Sequence, residues 1–196
     1  MFSLKKPSDA QIRRFLSSQK DLPFPYPEVG STRSGIVTGG YNVDHTSVRL
    51  GSGSEIFIRA VEAVQHWEMF RIGWLQLLWP DATIEVGSTV GILIRQLGVW
   101  SLNASRIVYL IDEESPLRRY GFAYGTLPAH AERGEERFSV EWRDDGSVWY
   151  DIYAFSRPNH ILTAASYPFT RMLQKRFARD SQRAMLNAAV GRNKDN

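Results

Sequence analysis

The sequence predicts an α+β fold, a curved antiparallel sheet of about six strands wrapped on a long C-terminal helix, and two observations carry that reading. From residue 84 to 157 apolar and polar residues alternate with period two in five successive runs, as strands with one buried face do. From Pro168 to about Val190 the apolar residues recur instead at helical spacing, with Pro168 in the first turn.

The five runs fall near residues 88–97, 104–112, 118–127, 135–143 and 147–156, separated by Asp, Glu, Pro and Gly. Connections this short join antiparallel neighbours, because a parallel pair needs a long crossover. Asp145-Gly146, set between Phe138/Val140/Trp142 and Val148/Tyr150/Ile152, is the clearest hairpin turn. In the third run Tyr120, Phe122 and Tyr124 point one way and Gly121, Ala123 and Gly125 the other. That nearly bare face admits a close neighbour: the long helix, a ligand or a sharp bend of the sheet.

In the last helix Phe169, Leu173, Phe177, Ala184 and Ala188 share one face, while Arg171, Lys175, Arg179 and Arg183 form a basic series on the other. Upstream of the sheet, Ser8 caps a short helix reaching Lys20, with Ile12, Phe15 and Leu16 on one side and Arg13 and Arg14 on the other. Pro23, Pro25 and Pro27 forbid helix and inner strand, so residues 21–40 run extended over the surface. Tyr41–Leu50 reads as a first strand. Ser52 and Glu55 then fit a capping box for a helix carrying Phe57, Ala60, Val61, Val64 and Trp67. Trp74–Trp79 is a bulky apolar segment that Pro80 closes.

Strand, helix, five-strand meander and long terminal helix make up the order of a helix-grip fold, whose sheet and last helix commonly enclose a cavity. At 196 residues the chain suits one domain. We place it at residues 1–190, with a polar, disordered tail at 191–196.

The absence of cysteine excludes disulfides, thiolate nucleophiles and Cys-based zinc sites. With no apolar leader and no span of eighteen apolar residues, a cytoplasmic location is expected. A net charge of +3 argues little for a polyanionic partner, and nucleic acid is disfavoured because no aromatic platform alternates with the basic residues.

Gly121-Phe122-Ala123-Tyr124-Gly125-Thr126-Leu127-Pro128, then His130 and Gly134-Glu135-Glu136-Arg137-Phe138, resembles the central motif of the family called domain of unknown function nineteen-ninety. Gly51-x-Gly53 with Phe57 and Ala60, Trp67, Ser156-Arg157-Pro158 and Gln174 extend the likeness over roughly residues 11 to 187. The resemblance implies membership of the Bet v 1-like and START-like helix-grip group, and it implies no activity. The chain departs from the pattern at Ala129 and Ala131, where Gly and Pro are usual.

No catalytic residue is assigned. His130 and Glu135, with Glu132 and Glu136 nearby, come nearest to an acid/base group. Glu135 and Glu136 are adjacent on a strand and face apart, so they form no carboxylate pair. Asp44-His45 faces apart in the same way. Gly51-Ser52-Gly53 lacks the third glycine of a dinucleotide loop, since Ile56 stands there. Four histidines, none paired at helical spacing, leave no metal site, and no cofactor is expected.

The leading expectation is a binder of a small apolar or lipid-like ligand held between sheet and last helix. Its candidate wall is Tyr109, Tyr120, Phe122, Tyr124, Trp142, Tyr150 and Tyr153 from the sheet, with Leu173 and Phe177 from the helix and Arg157 at one mouth; the sequence leaves open which strand face looks inward. The rivals are an enzyme of cyclase or hydrolase type in the same cavity and a module docking on a membrane surface or partner through Trp74–Trp79 and the basic series. Oligomeric state is left open.

Overall fold

The computed structural model describes residues 1–79, 83–159 and 167–191. Among them lie β1 (Phe2–Ser3), α1 (Asp9–Gln19), β2 (Asn42–Ser52), α2 (Ser54–Gln65), a 3-10 turn (Glu68–Phe70), β3 (Leu75–Leu78), β4 (Thr89–Gln96), β5 (Val99–Glu113), β6 (Arg118–Thr126), β7 (Glu132–Trp142), β8 (Ser147–Pro158) and α3 (Tyr167–Ala189). The expected closure at Pro80 lies outside the described residues, as does the expected tail beyond Gly191.

All eight strands form one antiparallel sheet in the order β2-β8-β7-β6-β5-β4-β3, with β1 added beside β5. The α+β class and the meander stand as read. β1 and β3 raise the strand count above the expected six, and β3 lies inside the segment read only as bulky and apolar.

Helices α2 and α3 and the 3-10 turn cover one face. Their core with Phe122, Phe138, Val140, Tyr150 and Ile152 includes Phe57, Val64, Met185 and Ala189, all buried. On the outer face α1 sets Ile12 and Leu16 against Leu93, Leu102, Ala104 and Leu127. Its cap is the expected Ser8, completed as a capping box by Gln11.

The cap of α2 differs from the expected one. Gly53 is the N-cap residue at φ 88°, with no side-chain cap bond, while the Ser52 hydroxyl accepts from Arg49 Nη2 at 2.8 Å. A left-handed backbone there needs glycine, and it leaves Ser52 one residue too early to cap. α2 also stops at Gln65, and Trp67 turns to φ 57° and buries its ring as the chain enters the 3-10 turn.

The bare face of β6 receives the proline-rich segment. A Cβ on Gly125 would sit 1.9 Å from the Tyr26 hydroxyl, and Tyr26 and Thr32 are buried. Residues 21–40 are thus a strap that seals the outer face, and it is not extended throughout as expected: the backbone turns at 29–35, where the N–H groups of Ser31, Arg33 and Gly35 donate to the carbonyls of Glu28, Gly30 and Ser31. Gly121 is tighter in another way, since a Cβ there would lie 2.1 Å from the Phe138 carbonyl oxygen of β7. Backbone cannot swing aside as a side chain can, so Gly121→Ala is expected to cost about 2 kcal/mol of stability. The check is a urea midpoint lowered at unchanged slope; an unshifted midpoint would show that the β6–β7 ladder yields freely.

Candidate functional site on the helix-side face

Strand parity decides which side chains meet the helices. On β6, β7 and β8 the even-numbered residues do, which brings Tyr120, Phe122, Tyr124, Trp142 and Tyr150 to the helix-side core. Phe177 of α3 packs on the same core and Leu173 is partly buried.

Three expected wall residues lie elsewhere. Tyr109 clusters with Ile111 and Ala123 on the outer face, because β5 carries a bulge between Ile107 and Tyr109 that moves every later side chain across the sheet. Tyr153 is odd-numbered on β8 and its hydroxyl donates to the Gly35 carbonyl at 2.8 Å. Arg157 donates to the Gly39 carbonyl at 3.1 Å and lies over the Tyr41 ring, so it fastens the strap.

Between α3 and the sheet the gap is filled at the level of Phe177. The 3-10 turn inserts Phe70, whose ring centroid lies 5.5 Å from both Phe138 and Phe177 and 6.2 Å from Tyr124. Trp67 meets Phe122 edge-on at 4.9 Å. Tilted and edge-on contacts of this kind make a packed aromatic core.

The space lies beside this plug. A partly open hollow of ≈ 360 Å³ is lined by Trp67, Phe70, Ile72, Leu75 and Leu77, with His66, Arg71 and Gly73 at its margin. The turn supplies its aromatic floor and β3 its aliphatic wall. The sequence leaves the segment from Trp67 to Trp79 open as a cavity wall and lid or as an exposed patch, and it does not resolve the turn or β3 within it, since neither element is long enough to show a period.

A polar cluster closes the other end, under the start of α3. Arg171 holds Asp44 of β2 through two bonds of 2.5 and 2.6 Å and donates to Gln174 Oε1 at 2.6 Å. Gln174 Nε2 in turn donates to Glu132 Oε2 at 2.5 Å and to Ser156 Oγ at 2.9 Å. Nearby, Tyr124 donates to Glu136 at 2.8 Å. Glu136 keeps a little accessible area yet is ringed by protein atoms, and this desolvation, opposed by the Tyr124 bond and reinforced by the charges of Glu132 and Asp44, raises its pKa to about 7. Burial raises Glu132 too. The cluster can hold or release a proton near neutrality. Among the described residues no group of three or more His, Cys, Asp or Glu side chains could hold a metal ion.

The remaining candidates are placed as follows. His130 sits in the turn before β7, where its Nδ1 accepts the Glu132 backbone N–H at 3.0 Å; burial lowers its pKa to about 4. Glu135 faces outward and gathers the strap, accepting from Tyr26 (3.3 Å), Gly30 N (2.7 Å), Thr32 N (3.1 Å) and the Thr32 hydroxyl. His45 also faces outward, 2.6 Å from Asp151, which Arg137 holds at 2.8 Å. Asp44 and His45 therefore serve opposite faces. In the basic series Lys175, Arg179 and Arg183 are exposed while Arg171 is tied to Asp44. Trp74 donates to Asp180 at 2.9 Å under the Arg176 guanidinium, so it is bound to α3 and does not project with the basic series.

The model of a family described as domain of unknown function (DUF1990) matches residues 25–184. The chain belongs to this family. A UPF0548 protein of Dictyostelium discoideum is 37% identical over 100% of this chain and 98% of its own length. Another from Deinococcus radiodurans is 34% identical over 96% and 99%. The crystal structure of Ara h 8.0201 is similar over 78% of this chain and 99% of that one, with TM-score 0.49 and 10% identity. The family match spans the strap residues Tyr26–Thr32, the hollow and the polar cluster. No helix of the described residues is long and apolar enough to cross a membrane.

Proposed function

We propose that this member of the DUF1990 family binds a small apolar or lipid-like molecule in the hollow between the 3-10 turn and β3. The observation that carries the reading is the ≈ 360 Å³ space walled by Trp67, Phe70, Ile72, Leu75 and Leu77. Its size and apolar lining are those of small-molecule sites. Placing apolar surface there removes it from water at about 25 cal/mol per Å², and His66 and Arg71 at the margin offer donors to a polar end. The enzyme reading has less support, because His130 Nδ1 accepts the local Glu132 backbone N–H and Glu135 is committed to the donors of the strap on the outer face.

The test is a fluorescence titration with 1-anilinonaphthalene-8-sulfonate, followed by displacement with a medium-chain fatty acid. Saturable enhancement is expected, with affinity lowered at least about tenfold in Leu77→Glu, which sets a charge in the aliphatic wall. Circular dichroism and a cooperative urea transition confirm that each protein is folded, since the dye also lights up on loosened cores. Equal affinity in the folded variant and the wild type would place the dye elsewhere and overturn the reading.

A further inference from the structure

We propose that the edge formed by β1 and the β4–β5 hairpin docks on an anionic phospholipid membrane. The surface is apolar where a sheet edge usually is not. Leu97 at the hairpin tip is 86% exposed, Leu4 82%, Phe2 58% and Val99 36%. These residues are contiguous, because Phe2 pairs with Ser101 and Ser3 with Trp100, while Val99 pairs with Gln96 across the hairpin. Gly98, at φ 78°, lets the hairpin turn tightly and leaves Leu97 projecting.

Cations flank the patch on the other face of the same strands, where Trp100 projects. Lys6 Nζ and the Arg95 guanidinium lie 5.7 and 5.5 Å from the centre of the same Trp100 ring, and Lys5 is exposed beside them. No aspartate or glutamate occurs in residues 1–8 or 87–111, so no carboxylate of these segments opposes them. Protruding apolar side chains flanked by Lys and Arg complement a bilayer with anionic headgroups: the tip enters the interface and the cations stay at phosphate level. A second copy fits less well, because a two-fold contact through this patch would set Lys5, Lys6 and Arg95 against their own counterparts.

The docking edge goes beyond the binding hollow and stands without it, yet the sheet joins the two. One cross-strand row runs from Leu75 through Ile94 and Ser101 to Phe2. Three strand spacings separate its ends, roughly 14 Å. A docked edge would therefore hold the hollow's β3 wall close to the lipid.

Co-sedimentation tests the proposal on the full chain with any tag at the C-terminus, so that β1 stays free. The vesicles are phosphatidylcholine alone and phosphatidylcholine mixed with phosphatidylserine. Pelleting with the mixed vesicles at low salt is expected, weakening as salt rises. Phe2→Ser with Leu97→Ser, and separately Lys5→Glu with Lys6→Glu and Arg95→Glu, should each lower the partition coefficient about tenfold or more. All five side chains are exposed, so both variants should fold. No pelleting with mixed vesicles at low salt overturns the proposal, as does pelleting that neither variant weakens. A dimer in solution that Phe2→Ser with Leu97→Ser converts to monomer also overturns it, by assigning the patch to a second copy. Dye binding in the hollow is read separately, so failure of one leaves the other standing.

Discussion

Glu135→Ala is expected to lower the unfolding free energy by about 4 kcal/mol and the melting temperature by roughly 10 °C. The carboxylate is 2% exposed and accepts from Tyr26, from the backbone of Gly30 and from the backbone and hydroxyl of Thr32. Alanine leaves these donors facing a small void, and a buried donor without a partner costs more than the bond it had made. Thr32 also receives from or gives to Tyr109 at 2.7 Å, and its carbonyl accepts from Arg137 at 2.8 Å, so loosening it reaches the outer face more widely. Glu135→Gln keeps the shape but puts an NH₂ group against donors, and about half the effect is expected. Urea unfolding measures both variants, and limited proteolysis within residues 21–40 should quicken in the alanine variant as the strap opens. A loss below about 1 kcal/mol would mean that aromatic packing of Tyr26 and Phe24, and not this carboxylate, holds the strap.

The second large effect is in the pH dependence of stability, where Glu136 and His130 oppose one another. Glu136 titrates near 7 when folded and 4.5 when free. Between those values the folded state keeps a proton that the unfolded chain has released, so stability falls as pH rises through the window. His130 titrates near 4 when folded and 6.5 when free. There the unfolded chain holds the extra proton, and stability falls as pH drops from 6.5 toward 4. Each shift corresponds to about 3 kcal/mol. The two contributions nearly cancel between about pH 4.5 and 6.5 in the wild type. Glu136→Gln should uncover the histidine slope, gaining about 3 kcal/mol relative to the wild type between pH 4.5 and 7, and His130→Asn should give the opposite change. Asparagine can still accept the Glu132 N–H through its Oδ1, which limits the structural cost. Urea unfolding across this range reads the differences in slope. Parallel curves for all three proteins would show that neither group is held neutral by burial.

The elements that the sequence made legible are those whose pattern repeats over several residues. β4 to β8 and α3 stand within a few residues of the expected runs, and Asp145-Gly146 turns between β7 and β8 with Gly146 at φ 78°. β1 has two residues and β3 four. No period can show in so few, and β3 exists only because Leu75–Leu78 find Gly91–Ile94 as partners. The capping box at Ser52 failed for a related reason: the motif was present, and the left-handed Gly53 shifted the helix start past it.

The candidate site was legible as residue types and not as a place. Tyr109 and Tyr153 were wall candidates by chemistry, yet a bulge and strand parity set them on the outer face. Glu132, Ser156 and Gln174 are far apart in the chain and meet only when β7, β8 and α3 pack. By itself the sequence determined the kind and order of the longer elements and the glycine face of β6, because backbone sterics and side-chain period act over a few neighbouring residues. Only the tertiary structure decided which face meets the helices, that Phe70 fills the grip beside a hollow, and that burial raises the Glu136 carboxyl to about 7. Those outcomes depend on desolvation and on partners brought from distant strands, and neither acts until the sheet has closed over its helices.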